Sequence, residues 1–344
     1  MSNAPWLQRD VLAGVIQQNV ASALDEFPVL NLFLSTTGGS PSMVQGEMVS
    51  FDVEYAEKRL APFHAQPGIA DRVVHTREGK IIVQMIYQQV KDAIRTNDLA
   101  RFRMPGMSAE QVMSSADVDK LINKKIDKLT RTVLRQREQD CCSLISEATY
   151  TRTVDGVSNT ITTGLTLDST APIASWATAS TDIPAALGAM YEAFVDTAGA
   201  DPTHIVMSFQ AWSNLAKNDK IREFSIRGNG AEGGLIQLPL NLISTGVGNV
   251  NVLVHKAHYK TDAGSKTYYW KEDRMTFLDL SGGADVLGTC TCPLIMPDKT
   301  LSTESITPHS WVENETGEHW VKLQGVFAPY LGDLDKIRAF DLTP

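Results

Sequence analysis

The feature that most constrains this chain is an over-long amphipathic stretch near its middle. From Asp117 the apolar residues Val118, Leu121, Ile122, Ile126, Leu129, Val133, Cys141, Leu144, Ile145 and Ala148 recur at spacings of three and four, interrupted at Arg137. Most residues between them are Lys, Arg, Asp, Glu, Gln or Thr, which gives a helix one dry face and one wet face. A hydroxyl with a Gln three residues on, Ser108 and Gln111, stands upstream as a helix-start signal, and Ser114-Ser115 marks a break before the main run. At 1.5 Å per residue, a helix of about 30 residues measures about 45 Å, longer than most domains need. It is expected to act as a strut. A coiled coil would require sustained heptads with flanking charge pairs, and the pattern has neither.

The segments before the strut are poor in the means to fold alone. A short helix is expected from Asp10 to Leu24, with Val11, Ile16, Val20 and Leu24 on one face. Beyond it the chain turns Gly/Ser/Pro-rich, as in Ser35 to Ser42, so residues 1–45 read as a flexible, extended arm. Val49, Phe51, Val53 and Tyr55 then alternate with polar residues as in a half-buried strand, and Lys80 to Tyr87 is a second strand-like run. Residues 46–106 have the composition of a projecting hairpin with too little apolar bulk to stand by itself.

After the strut, Tyr150 to Thr163 is rich in β-branched residues around Asp155-Gly156, a hairpin signature. Helices are expected at Ile183–Ala198 and Gln210–Glu223, and strands at His204–Ser208, Val250–Val254, Thr267–Trp270, Met275–Leu278 and Trp320–Phe327. Helices clustered among mixed strands indicate an α+β architecture.

Composition narrows the function. The 344 residues carry 31 Lys+Arg against 40 Asp+Glu, a net charge of −9, which disfavours broad attraction to nucleic-acid phosphate. No run approaches the roughly 20 apolar residues of a membrane span, and Met1 to Trp6 has no signal-peptide pattern, so no membrane role and a cytoplasmic site of synthesis are expected. Cys141, Cys142, Cys290 and Cys292 lack the spacer of a zinc knuckle and read as reduced thiols packed as small hydrophobes. His255 and His258 should point to opposite sides of a strand as surface or interface residues. Gly228-Asn-Gly-Ala-Glu-Gly233 matches a dinucleotide fingerprint literally, but it has no preceding strand, no helix opening from it and no acidic residue about 20 positions on. No nucleophile elbow or phosphate loop is present, so no catalytic, cofactor or metal residues are nominated.

The run Phe51 to Phe63, containing Ala61-Pro62-Phe63, then Gly68 to His75 and Arg101 to Gly106, resembles the lambda-type major capsid proteins of tailed phages. Ser310 to Val312, Trp320 to Gln324, Ala328 to Tyr330 and Asp335 to Ala339 are similar to that family's closing strands. The resemblance implies the Hong Kong 97 phage fold, with an N-terminal arm (1–45), an extended hairpin loop (46–106), a spine helix with peripheral strands (107–174), an axial domain (175–290) and returning peripheral strands (291–344).

It further implies a structural protein, not an enzyme, with no cofactor. Pentamers and hexamers of this chain would close an icosahedral virion shell around loosely held double-stranded DNA, assembling in the host cytoplasm as a procapsid that later expands. Scaffolding, portal and decoration proteins are the implied partners, with scaffolding supplied by a separate protein because no large acidic helical prefix precedes the loop. Contacts between subunits are expected from the loop residues Arg59, Pro62, Phe63, Arg72, Arg77, Lys80, Arg101 and Arg103, since planar Arg suits interface ion pairs. Two other readings are an encapsulin-like cargo shell of the same fold, disfavoured by the elongated loop, and a nucleotide-binding enzyme using Gly228 to Gly233.

Overall fold

The computed structural model describes residues 9–45, 48–55, 77–94, 115–154, 157–165, 167–168, 175–221, 250–261, 264–295, 301–313 and 318–342. In chain order, helices α1 (Arg9–Ala23) and α2 (Pro28–Thr36) precede strands β1 (Ser42–Met43), β2 (Met48–Tyr55), β3 (Arg77–Gln84) and β4 (Ile86–Ile94). The strut is α3 (Ser115–Ser146). It is followed by β5 (Thr149–Val154), β6 (Val157–Thr162), β7 (Leu167–Asp168), helix α4 (Ile183–Ala198), β8 (His204–Ser208) and helix α5 (Phe209–Lys217). Then come β9 (Asn251–His255), β10 (His258–Lys260), β11 (Lys266–Tyr268), β12 (Arg274–Leu278), β13 (Leu287–Thr291), β14 (Leu294–Ile295) and β15 (Leu301–Ser302). The chain closes with β16 (Thr307–Val312), β17 (His319–Leu331) and β18 (Ile337–Asp341). Two compact units emerge, one from Met1–Val49, Gln84–Asp140 and Thr289–Ala328, the other from Ser50–Val83, Cys141–Gly288 and Pro329–Pro344.

In the first unit β17 is the centre of the sheet. Strand β4 pairs with it antiparallel from His319↔Ile94 to Phe327↔Ile86, and β16 lies on its other side with Trp311 opposite Trp320. Strand β1 runs parallel to β13 through Ser42↔Cys290. The buried stripe of α3, comprising Ile122, Ile126, Leu129, Val133 and Leu134, continues at the next turn with Arg137, which is only 4% exposed. That buried charge is satisfied: its Nε donates to Gln88 Oε1 at 3.1 Å, its Nη2 donates to the Ser305 carbonyl at 2.6 Å, and its guanidinium lies 4.7 Å from the centre of the Phe327 ring. Gly325 makes this geometry achievable, because a Cβ there would lie 2.3 Å from the Ser305 oxygen and 2.9 Å from Arg137 Nη2.

The arm departs from the sequence expectation. Past residue 24 the chain does not stay extended but forms α2, whose Val29, Leu30, Phe33 and Leu34 are buried. Pro28 starts this helix, where its missing N–H costs nothing. Its cap comes from across the sequence: the fully buried Glu138 of α3 accepts the backbone N–H groups of Val29 at 3.2 Å and Leu30 at 2.6 Å. A carboxylate at that position meets both unsatisfied donors and the positive end of the helix dipole.

The second unit is a five-stranded mixed sheet, ordered β7, β18, β12, β8, β9. Helix α4 has its start fixed by Asp182, whose carboxylate accepts the Ala185 N–H at 3.2 Å, and its end by Gly199 at a φ of 58°. Between them Ile183, Leu187, Met190, Phe194 and Ala198 are all buried. Phe194 meets Phe277 edge-on at 6.0 Å, and Phe277 meets Phe340 at 5.2 Å, so helix and sheet share one aromatic core. Arg338 of β18 clamps this unit from its edge, donating to Asp168 at 2.6 Å and to the Ala193 carbonyl. Helix α5 stops at Lys217, earlier than the expected Glu223. Asn218 ends it: its amide donates to the carbonyls of Ala179 and Thr181, its Oδ1 accepts from the Ile221 N–H, and helical turns resume only at 219–221.

Candidate assembly interfaces

Long charged side chains, small two-stranded sheets and exposed aliphatic groups are the raw material of a contact between copies, and each occurs among the described residues. Among the described residues, strands β2 and β3 pair only with one another, as a two-stranded sheet. Of the loop residues expected to contact neighbours, Arg77 and Lys80 stand on β3. Arg59, Pro62, Phe63, Arg72, Arg101 and Arg103 lie outside the described residues, as does the glycine cluster 228–233.

Sequence reasoning missed the most exposed apolar pair. Strands β14 and β15 form a short hairpin in which Leu294 faces Ser302, both buried, and Ile295 faces Leu301. Ile295 is 77% exposed and Leu301 65% exposed. The signal was available in principle, since a two-residue strand alternates once and one of its faces must be outward. Nothing local, however, identified Pro293 to Ser302 as a hairpin.

One face of the first unit's sheet is aromatic. Trp311 and Trp320 stack at 6.1 Å with an interplanar angle of 10°, His309 stacks on Trp311 at 5.4 Å, and Lys91 Nζ sits 5.0 Å from the centre of the Trp320 ring. Tyr87, on the same side of β4 as Lys91, is 48% exposed.

The cysteines and histidines picked out in the sequence differ in burial. Cys141, Cys142 and Cys290 are buried, as their reading as small packed side chains expects, and Cys292 is half-buried; none of the four is in a disulfide. Burial pushes the Cys290 thiol up to about 12, and its Sγ donates to the Ala328 carbonyl at 3.2 Å. His258 is exposed as expected, whereas His255 is 2% exposed and therefore not a surface residue. The two stand on different strands, His255 at the end of β9 and His258 at the start of β10, and His255 turns inward, where Nε2 lies 3.8 Å from Cys142 Sγ and the ring meets Tyr269 edge-on. Burial also holds the His204 pKa below its ordinary value. The Tyr191 hydroxyl is pushed up to about 12 by burial and by its hydrogen bond to Asp201.

The described residues make an α+β chain with a two-stranded sheet of β2 and β3, a 32-residue helix and exposed aliphatic groups. Solved structures agree on the fold. A phage-related protein from Bordetella bronchiseptica RB50 superposes with a TM-score of 0.58 at 14% identity, covering 96% of each chain. A candidate capsid protein of a prophage in Escherichia coli CFT073 gives 0.57 at 14% identity, covering 93% of this chain and 98% of its own. No curated protein matches the sequence. The family model for phage major capsid protein E matches residues 17–323, and the chain belongs to that family. It is a structural capsid protein of the Hong Kong 97 type, a component of the virion shell. No helix among the described residues is long and apolar enough to cross a membrane.

Proposed function

We propose that copies of this chain close into pentamers and hexamers of an icosahedral shell that encloses double-stranded DNA. The observation that carries the reading is the Ile295 and Leu301 pair, held side by side and facing out. Large aliphatic groups gain about 25 cal/mol for each Å² removed from water, so a face of this kind is stabilised by a neighbour. A two-stranded sheet such as β2 and β3 is marginal without support, and in a closed shell the next copy can supply it.

In this reading residues 1–45 form the arm, 46–106 the loop, and 175–290 the axial domain, with 107–174 and 291–344 peripheral. Arg59, Pro62, Phe63, Arg72, Arg77, Lys80, Arg101 and Arg103 contact neighbours. The net charge of −9 keeps the packaged DNA only loosely held. Scaffolding, portal and decoration proteins join the homo-oligomer, assembly takes place in the host cytoplasm, and catalysis has no part in it. Electron microscopy of the purified chain, alone and with its scaffold, is expected to show capsomers or shells; monomers under every condition would refute the proposal.

A further inference from the structure

Two exposed patches of the second unit each carry charge of one sign. In the hairpin of β10 and β11, His258 faces Tyr268 and Lys260 faces Lys266, all four exposed on one side, with Lys256 exposed just before. Like charges directly opposite one another across a strand pair are destabilising. Among the described residues, Lys266 Nζ donates only to the Tyr268 hydroxyl at 3.2 Å, and it lies 4.8 Å from that ring's centre. Among the described residues, Lys256, Lys260 and Lys266 make no ion pair. Lys271, a few positions on, does pair, with Glu147 at 3.0 Å.

Helix α4 carries the opposite arrangement. Glu192 and Asp196 are exposed one turn apart, a spacing at which like charges also repel. Among the described residues neither forms an ion pair. Exposed Asp201 lies just past the helix end, where its carboxylate accepts the Tyr191 hydroxyl. Each patch is therefore repulsive within itself, and the sign of one answers the sign of the other.

We infer that the Lys256, Lys260 and Lys266 patch of one copy docks on the Glu192 and Asp196 patch of the next. Two different, complementary surfaces on one body make a heterologous contact, which closes into a ring when the rotation is right. Both repulsions are relieved at each junction. A single exposed pair contributes little, but repetition around a ring sums it. A second copy fits better than DNA because the chain carries both halves of the match, and its net charge of −9 repels phosphate at a distance.

The inference rests on the shell-forming reading, and one set of full-length variants tests it. K260E/K266E and E192K/D196K are each expected to lower the yield of capsomers and shells, by sedimentation and negative-stain microscopy, by about tenfold. The neutral variant K260Q/K266Q should lose less, and the quadruple charge swap should recover assembly. Circular dichroism separates loss of fold from loss of contact. Wild-type shells with both reversals assembling normally would overturn the pairing alone, as would a folded quadruple variant without recovery. Lysine reversals that leave shells intact but abolish retention of double-stranded DNA would also overturn it, in favour of a phosphate contact. Absence of assemblies from wild-type protein would bring down the shell reading itself, and the pairing with it.

Discussion

Replacing Glu138 tests whether a side chain of α3 holds α2 in place. The carboxylate is fully buried and accepts two backbone N–H groups, at 3.2 Å from Val29 and 2.6 Å from Leu30. Hydrogen bonds to a charged group contribute about 1.5–3 kcal/mol each, and the helix-terminus interaction adds up to about 2 kcal/mol where partly buried. Removing the acceptor leaves both donors buried without it, so E138A should cost about 3–5 kcal/mol, near the top of the range for point mutations. E138Q keeps one amide oxygen and the shape, so it should cost about 1–2 kcal/mol. Urea unfolding of unassembled subunits, followed by circular dichroism, measures both, and proteolysis within residues 9–36 should rise in the same order. An E138A variant within about 0.5 kcal/mol of wild type would refute the cap, because surface substitutions already scatter that much. Equal losses for E138Q and E138A would show that the carboxylate shape is immaterial.

Two further outcomes follow from the packing. G325A should destabilise the first unit by about 1–3 kcal/mol, since its Cβ would meet the Ser305 oxygen at 2.3 Å, and a lowered melting temperature with diminished shell yield would show it. In native protein at mildly alkaline pH, iodoacetamide should label half-buried Cys292 before Cys290, whose thiol stays protonated up to about 12; mass spectrometry of tryptic peptides decides this. Rapid labelling of Cys290 would mean that the Ala328 contact opens readily.

What could be read in the sequence was what local chemistry controls. The strut was visible because most residues between its regularly spaced apolar ones are polar, and α4 because its apolar spacing lies between an Asp cap and a Gly stop. The second helix of the arm was hidden because Val29 to Leu34 is apolar nearly all round, so no face is marked, and its cap lies 108 residues away. Strand β4 was missed because its outward residues Tyr87, Gln89 and Lys91 alternate with the scarcely more apolar Gln88, Val90 and Asp92; only pairing with β17 makes it a strand. Arg137 looked like a flaw in the strut's stripe. It is the residue around which Gln88, Ser305 and Phe327 converge. Charge patches were illegible for a related reason: Lys260 and Lys266 become one surface only through hairpin register.

The Arg137 cluster also sets the timing of biogenesis. Its partners stand 49 residues before it and 168 after it, and the sheet it touches is completed by β17, near the chain's end. Contacts this distant form late, since loop closure must precede any gain from them. The first unit therefore cannot be completed until β17 has been made, however early α1 and α2 emerge. A polypeptide released before residue 319 lacks the central strand altogether, and with it the seat for Arg137.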